Sequence, residues 1–181
     1  SVKLAVDAVM SAAHSHHFLS MTRDGQVGIF ETTGNPDAHI ILRGGTSGTN
    51  YDAASVDAAC AALSKAGLSE QVMIDFSHAN SQKDHKRQLQ VAQDVGAQIA
   101  DGDDRIMGVM VESHLKEGRQ DLGGELEYGK SVTDACVGWD DTVTILRELA
   151  GSVAQRRKRL AEGINGCRRA AIGQRHGDYR N

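Results

Sequence analysis

Short apolar runs alternate with segments of helical periodicity along the middle of the chain. The apolar runs cover residues 39–43, 71–76 and 106–112, and the periodic segments between them cover residues 55–66 and 83–100. Strands of a parallel sheet that is buried on both faces are continuous apolar runs, and each parallel connection requires a helical crossover. The pattern therefore predicts an α/β fold in which three parallel strands, covered on both faces, are joined by two helices.

Before this region the pattern predicts a helix and a hairpin. Apolar residues recur at helical spacing over residues 2–10, and two strand-like runs follow at residues 17–21 and 27–31. The pair Asp24-Gly25 between these runs suits a tight turn, because both residue types tolerate left-handed backbone conformations. We therefore expect an inserted two-stranded hairpin.

After the alternating region the pattern predicts one more strand, a long helix and a tail. A last strand around residues 131–137 leads into a helix from Asp140 to about Leu160, with basic residues in its last turns. The periodicity then stops and arginines become frequent, which is typical of disorder. The sequence thus predicts a folded domain over residues 1–163 and a basic, disordered tail over residues 164–181.

The composition is that of one globular domain with an acidic body. The chain has 181 residues, of which 40% are hydrophobic, and a net charge of −4. Residues 1–155 carry 12 basic and 22 acidic side chains, whereas residues 156–181 carry 8 and 2. A basic-tailed nucleic-acid-binding module is one interpretation, but Tyr179 is the only stacking aromatic in the basic end, so we expect no nucleic-acid partner.

The apolar runs and the cysteines indicate a reducing, aqueous compartment. No apolar run approaches the roughly 18 residues that a membrane span needs, and no basic-then-apolar signal peptide opens the chain. The three cysteines, Cys60, Cys136 and Cys167, are odd in number and widely spaced, which favours free thiols over a disulfide framework or a zinc ribbon. We therefore expect a cytoplasmic protein without a membrane partner.

Each predicted strand ends at, or just before, a polar residue that a purely structural strand does not need. These residues are Arg43, His78, Glu112 and Asp134, at spacings of 35, 34 and 22 residues. A (β/α)8 barrel uses about 31 residues per strand–helix unit and places its catalytic side chains at the C-terminal ends of successive strands. The spacings fit that geometry, so we expect the four side chains to converge on one rim.

The chemistry of these four side chains predicts a metal centre beside an anionic substrate. One imidazole and two carboxylates suit a divalent transition metal ion such as Mn²⁺, Fe²⁺, Co²⁺ or Zn²⁺. The planar guanidinium of Arg43 suits a phosphate or a carboxylate in two-point contact. Taken singly, each residue also has a structural explanation: His78 could cap or pack against a strand, the two acidic residues could cap helices, and Arg43 could form a salt bridge.

Three further groups carry weaker signals. The first is a group of histidines at a helix-to-strand junction, where solvated side chains are the simpler explanation: His14, His16 and His17. The second is a glycine-rich loop that lacks the Lys-Ser/Thr pair of a P-loop: Gly44, Gly45 and Gly48. The third is Cys136, which shares a strand face with Asp134 and is either a fourth metal ligand or a small buried residue.

Four longer segments carry a resemblance to a known family: ILRGG, VMIDFSHANS, IMGVMVESHL and YGKSVTDACVGWDDT. They resemble class I 3-deoxy-D-arabino-heptulosonate 7-phosphate (DAHP) synthases of the bacterial and fungal type. The resemblance implies a TIM barrel and a transferase that condenses phosphoenolpyruvate (PEP) with erythrose 4-phosphate, at the start of the shikimate pathway to the aromatic amino acids. A related metal-dependent sugar-phosphate aldolase is the enzymatic alternative.

The resemblance also implies roles for individual residues. It implies that one divalent metal ion is held by His78, which is also a catalytic residue, together with Glu112 and Asp134, and that Arg43 contacts PEP. Family members are often inhibited by phenylalanine, tyrosine or tryptophan. The two neighbours of the implied effector pocket are Phe18 and Ser20, although the first could instead be a core residue.

Parts of the family pattern are absent from the sequence. The family's fourth metal ligand, a cysteine, and its KPRT-type loop belong to an N-terminal segment, and neither is present here. The first residues, SVKLAVDAVMSA, resemble the helix that follows a lysine-bearing strand of the barrel. We therefore expect the chain to supply the C-terminal half, about four of eight strands. A half-barrel exposes strand edges and apolar inner faces that the full barrel would bury, which favours a homo-oligomer. A catalytically inert fragment is the second interpretation, and we expect the chain to be inactive alone.

Overall fold

Four helices and five strands make up the part of the chain that the structure describes. A computed structural model describes the backbone of residues 1–174 and the side-chain environments of residues 1–162. In chain order the elements are α1 (Val2–Ala12), β1 (His17–Met21), β2 (Val27–Glu31), β3 (Ile40–Leu42), α2 (Ala53–Lys65), β4 (Val72–Asp75), α3 (Arg87–Asp101), β5 (Ile106–Met110) and α4 (Trp139–Gln174).

The central sheet is parallel and contains three strands in the order β3-β4-β5. Ile40 pairs with Val72 across β3 and β4, and Ile74 pairs with Val109 across β4 and β5. Helix α2 connects the first pair and helix α3 connects the second, which are the crossovers that parallel neighbours require. The predicted α/β class is therefore confirmed.

The hydrophobic core lies on one face of this sheet. Ile40, Val72 and Ile106 are at most 3% exposed, and they belong to one cluster with buried apolar residues from all four helices. On the opposite face, Ile41 and Met107 are 40% and 46% exposed. The prediction that both faces are buried is wrong for this chain, because the described helices contribute their buried side chains to the first face only.

Strands β1 and β2 form the predicted hairpin as a separate antiparallel sheet. Phe18 pairs with Phe30, and their rings stack with centroids 6.1 Å apart. The turn is closed by the Gly25 N–H, which donates to the Thr22 carbonyl at 3.0 Å. Gly25 has a φ of 79°, a conformation that glycine adopts at little steric cost. The Asp-Gly pair therefore sets the turn, as predicted.

Helix α3 begins at Arg87 rather than at residue 83, where the periodicity predicts its start. Gln82 and Lys83 have left-handed φ angles of 55° and 63°, which are incompatible with a right-handed helix. The Lys83 N–H instead donates to the His78 carbonyl at 2.8 Å. The chain between β4 and α3 is therefore a tight turn tied to His78.

The predicted strand at residues 131–137 is wrong. This segment forms only isolated bridges, among them Ser131 with Arg119 and Val137 with Ser113. The Thr133 N–H donates to the Ser131 hydroxyl at 3.2 Å, and local bonds of this kind compete with the hydrogen bonds of a strand ladder.

Helix α4 continues to Gln174, beyond the predicted end near Leu160. The chain's single proline is Pro36, so no proline interrupts this helix. Residues 175–181, the rest of the predicted tail, lie outside the described residues, and the predicted domain boundary after residue 163 stays a prediction. Among the helices described, none combines the length and the hydrophobicity needed to cross a membrane.

Candidate metal centre

The ends of the three parallel strands meet at one edge of the sheet. Arg43 directly follows β3, His78 comes three residues after β4, and Glu112 comes two residues after β5. Asp134 reaches the same edge from the loop before α4. These four side chains line one cavity of about 250 Å³. The structure thus brings together all four residues that the strand-end pattern singles out.

The three predicted metal ligands lie within reach of one ion. One donor atom each from His78, Glu112 and Asp134 lies within 4.8 Å of the other two. His78 Nε2 is 3.6 Å from Glu112 Oε1. A neutral imidazole nitrogen and two carboxylates form a donor set that suits divalent transition metal ions. The described residues therefore fit a metal ion of this class.

The orientation of His78 is fixed by a buried carboxylate that the sequence interpretation missed. Asp75 is 2% exposed, and its Oδ2 accepts a hydrogen bond from His78 Nδ1 at 2.6 Å. Its Oδ1 accepts from the Ser77 N–H at 2.8 Å. In a neutral imidazole, as metal binding requires, a hydrogen bond donated by Nδ1 to this carboxylate leaves the lone pair of Nε2 to face the cavity.

Glu112 is held at both its side chain and its backbone. Ser77 Oγ donates to Glu112 Oε2 at 2.9 Å. Gln88 Oε1 accepts from the Glu112 N–H at 2.9 Å, and Gln88 Nε2 donates to the Glu112 carbonyl at 3.1 Å. The Val137 N–H donates to the same carbonyl at 3.0 Å. The carboxylate therefore projects from a backbone segment with little freedom.

Asn80 connects the ends of β3 and β4 beneath the cavity. Its side chain is buried, and Nδ2 donates to the carbonyls of Leu42 at 3.0 Å and Asp75 at 2.8 Å. Its Oδ1 accepts from the Asn50 N–H at 2.9 Å. The Asn50 side chain in turn accepts from the Gly44 N–H at 2.6 Å. This network fixes the loop that follows Arg43 against the turn that carries His78.

Gly44 allows that loop to approach the turn closely. Its φ is 70°, and a Cβ atom added to it would lie 2.8 Å from the Ala79 Cβ. The Gly45 N–H and the Gly48 carbonyl close the loop at 2.9 Å. The glycine-rich loop therefore serves a tight turn and a close backbone contact beside Arg43.

Two cations border the cavity, Arg43 and Lys83. Both side chains are exposed. Within residues 1–162, neither takes part in a salt bridge, so the structural explanation of Arg43 as a salt-bridge residue finds no partner there. The cavity thus combines two carboxylates and an imidazole with two cations that are available to an anion.

Cys136 lies beside the cluster without joining it. Its Sγ donates to the Asp134 carbonyl at 3.5 Å. Burial raises the pKa of the thiol, and the negative charges of Glu112 and Asp134 raise it further. Cys136 is not among the three donors that lie within reach of one ion, and it is buried. This favours the explanation of Cys136 as a small buried residue over that of a fourth ligand.

The remaining predicted residues lie away from this cavity. Phe18 and Ser20 are in the hairpin and do not line it, and Phe18 is 48% exposed, so its interpretation as a core residue is wrong. The predicted solvation of three histidines is confirmed, because all are exposed: His14, His16 and His17. The sequence interpretation missed polar residues in three places: Asp75 and Ser77 at the end of an apolar run, Asn80 and Lys83 in the turn that follows it, and Gln88 in α3.

Known proteins resemble this chain in sequence and in structure. The sequence model of the DAHP synthetase I family matches residues 1–147. The phospho-2-dehydro-3-deoxyheptonate aldolase of Haemophilus influenzae is 54% identical over 159 residues, covering 87% of this chain and 44% of that protein. The Phe-sensitive enzyme of that name from Escherichia coli is 55% identical over 159 residues, covering 87% and 45%.

A solved structure gives the same result. The solved structure of the phospho-2-dehydro-3-deoxyheptonate aldolase from Francisella tularensis superposes on this chain with a TM-score of 0.82 at 50% sequence identity. The match covers 86% of this chain and 46% of that one. The chain therefore spans less than half the length of these relatives. The family match contains the whole cavity described above, since its residues all fall within 1–147. The chain belongs to the DAHP synthetase I family.

Proposed function

We propose that this chain supplies the C-terminal half of the (β/α)8 barrel of a DAHP synthase. That enzyme joins C3 of PEP to the aldehyde carbon of erythrose 4-phosphate, consumes one water molecule and releases the phosphate of PEP. The observation that carries the proposal is the convergence of Arg43, His78, Glu112 and Asp134 on one cavity at the C-terminal ends of parallel strands. In barrels of this type the active site lies at that edge.

The two unequal faces of the sheet support the barrel. In a (β/α)8 barrel the helices cover the outer face of the strands, and the inner face packs against side chains from the other strands. Here the helices and the core share one face, while Ile41 and Met107 remain 40% and 46% exposed on the other. The segment 131–137 takes the position of a fourth strand, and the β1–β2 hairpin is an insertion outside the barrel.

His78, Glu112 and Asp134 hold one divalent ion, of the Mn²⁺, Fe²⁺, Co²⁺ or Zn²⁺ type. When bound, such an ion supplies a Lewis acid that polarises the aldehyde of erythrose 4-phosphate toward attack by C3 of PEP. The chain's own residues prepare the site: Asp75 directs the Nε2 lone pair of His78 into the cavity, and Ser77 holds one oxygen of Glu112. By resemblance, a cysteine outside this sequence is the fourth ligand.

Arg43 binds PEP, and Lys83 adds a second positive charge at the same cavity. The guanidinium of Arg43 matches a carboxylate or phosphate in two-point contact. Holding the anionic groups of PEP fixes the direction in which C3 faces the aldehyde, and orientation of this kind accounts for a large part of many enzymatic accelerations. Positive charge beside the departing phosphate also stabilises the negative charge that develops there.

Regulation and assembly form a separate part of the proposal. The Escherichia coli relative is named Phe-sensitive, and an aromatic amino acid is the inhibitor proposed here, with Phe18 and Ser20 as neighbours of its pocket. Phe18 stacks on Phe30 and is 48% exposed, so an apolar surface is available for an aromatic ring. The exposed hairpin and the uncovered sheet face both favour a homo-oligomer.

The test of the proposed function is PEP consumption with Mn²⁺, with and without erythrose 4-phosphate. It compares the 181-residue chain with a completed form that carries the upstream residues of the Haemophilus influenzae relative. We expect aldose-dependent consumption by the completed form alone. Activity of the 181-residue chain would contradict our view that upstream residues are indispensable, and inactivity of both would remove the proposed reaction.

Two variants of the completed form test the metal ligands. His78→Ala and Glu112→Ala should each lose bound metal and most of the turnover, because each removes one of the three donors that this chain provides. Metal content by elemental analysis and initial rates are the measurements. Unchanged metal content and rate in both variants would reassign the two residues to structural roles.

A further inference from the structure

Gln88 is a buried polar residue whose side-chain hydrogen bonds all go to the backbone of one other residue, Glu112. It is 0% exposed and lies in the first turns of α3. Its Oε1 accepts from the Glu112 N–H at 2.9 Å, and its Nε2 donates to the Glu112 carbonyl at 3.1 Å. A side-chain amide thereby makes the pair of hydrogen bonds that a neighbouring strand makes to a residue in a ladder.

The position of Glu112 explains why these two hydrogen bonds come from a helix. Strand β5 ends at Met110, two residues before Glu112, so the β4–β5 pairing no longer holds the backbone where the carboxylate is needed. On the other side, the Val137 N–H reaches the Glu112 carbonyl at 3.0 Å, but the Glu112 N–H has Gln88 as its only partner among the described residues.

The amide of Gln88 is required by the backbone that it meets. An apolar side chain of similar length would fill the same space but would leave the Glu112 N–H without a partner among the described residues. Other buried positions of α3, such as Val91, Val95 and Ile99, are apolar. The polar exception occurs where α3 passes the backbone of a predicted metal ligand.

We infer that Gln88 is a positioning residue that sets the direction of the Glu112 carboxylate and thereby the metal affinity of the site. The inference rests on the metal centre of the proposed function. Gln88 touches neither the ion nor a substrate; it fixes the backbone from which Glu112 projects, while Ser77 fixes one oxygen of the carboxylate. Both restraints act before an ion binds, so the site is preorganised.

The experiment measures Mn²⁺ affinity by titration with electron paramagnetic resonance detection, together with thermal unfolding, for the 181-residue chain and the completed form. The variant Gln88→Met keeps the length and helical propensity of the side chain and removes both hydrogen bonds. The matched control is Gln98→Met on the same helix, where Gln98 Nε2 donates to the Tyr51 carbonyl at 2.9 Å, away from the cavity.

We expect Gln88→Met to bind Mn²⁺ about 10–100-fold more weakly than the parent, the usual effect of losing a residue that orients a metal ligand. Gln98→Met removes the hydrogen bond to the Tyr51 carbonyl and should leave Mn²⁺ affinity unchanged. Should Gln88→Met fail to fold, Gln88→Asn against Gln98→Asn decides in the same way, because asparagine keeps an uncharged amide at the buried position but is one methylene too short to keep both hydrogen bonds to Glu112. Parental Mn²⁺ affinity in the Gln88 variants would overturn the inference.

The metal readout separates this inference from the proposed reaction. If the unaltered completed form binds Mn²⁺ but consumes no PEP, the proposed reaction fails, while the role of Gln88 is still decided by the affinities of its variants. If neither unaltered form binds Mn²⁺, the inference falls together with the metal centre.

Discussion

The hydrogen bond between Asp75 and His78 provides the sharpest test of how the site is built. In the variant Asp75→Asn, the Ser77 N–H still requires an acceptor, so the amide oxygen remains on that side. The amide NH₂ group then faces His78 Nδ1, which has to accept a hydrogen bond in place of donating one. The ring hydrogen moves to Nε2, and the nitrogen that faces the cavity loses its lone pair.

The magnitude follows from the geometry. The bond is 2.6 Å long, and Asp75 is 2% exposed, so solvent screens this charge-assisted interaction little. Such bonds contribute about 1.5–3 kcal/mol, and about 1.4 kcal/mol corresponds to a tenfold change in affinity. We therefore expect Asp75→Asn to weaken Mn²⁺ binding by about 10–100-fold, in line with the loss of other groups that orient metal-binding histidines.

Two measurements check this prediction. Calorimetric titration with Mn²⁺ gives the affinity, and ¹⁵N chemical shifts of the metal-free His78 ring report which nitrogen carries the hydrogen. The control is Asp57→Asn, which removes the same charge from an exposed carboxylate that pairs with Arg105. The reasoning is refuted if the hydrogen stays on Nδ1 in Asp75→Asn, or if the two variants bind Mn²⁺ equally well.

Three further predictions concern the completed form. Arg43→Ala should raise the KM for PEP by about 10–100-fold, from the loss of a charged two-point contact, and an unchanged KM and kcat would reassign Arg43 to structure. Gly44→Ala should lower the free energy of unfolding by about 2 kcal/mol or more, because it combines an unfavourable left-handed φ with a clash against Ala79. Urea denaturation measures this change. Gly25→Ala, which has open space around a φ of 79°, measures the backbone cost without the clash. The pKa of Asp103 is lowered chiefly by the hydrogen bond from Arg105, so the ionised carboxylate stabilises the fold above the ordinary pKa of 3.8 and this contribution is lost as the pH falls below it. Asp103→Asn should lower the free energy of unfolding by about 1–2 kcal/mol at pH 7 and reduce its dependence on pH in acid. Parallel plots of unfolding free energy against pH for the two proteins would contradict this assignment.

The sequence pattern predicts the central sheet because burial in the core produces that pattern. Strands β3, β4 and β5 and their crossover helices lie within a few residues of the predicted ranges, since burial makes the strand residues apolar and spaces the apolar residues of the helices. The start of α3 is not predictable in this way, because Gln82 and Lys83 have helical character in sequence and left-handed angles in the structure. Those angles follow from the turn that presents His78.

The sequence predicts the site residues that directly follow strands. It does not predict the residues that hold those side chains in place. Arg43, His78 and Glu112 stand out because a charged or polar side chain follows an apolar run. Asp75 is also within such a run, but its role depends on a hydrogen bond to a residue three positions away. Gln88 lies at helical spacing from Val91 and Val95, so its place on the buried face of α3 is readable from the sequence. Its partner, the backbone of Glu112, is not, because the two residues are 24 positions apart.

The network around Asn80 has a consequence for the dynamics of the rim. Its amide binds the terminal carbonyls at β3 and β4, and Asn50 and Gly44 join the following loop to it. Local opening of that loop therefore requires the part-buried Gly44–Asn50 and Asn50–Asn80 hydrogen bonds to break together, and such segments open with the free energy of a cooperative unit rather than of a fraying loop. The backbone amides of Gly44 and Asn50 should exchange with solvent as slowly as those of the strands, which would make the rim beside Arg43 a part of the folding core.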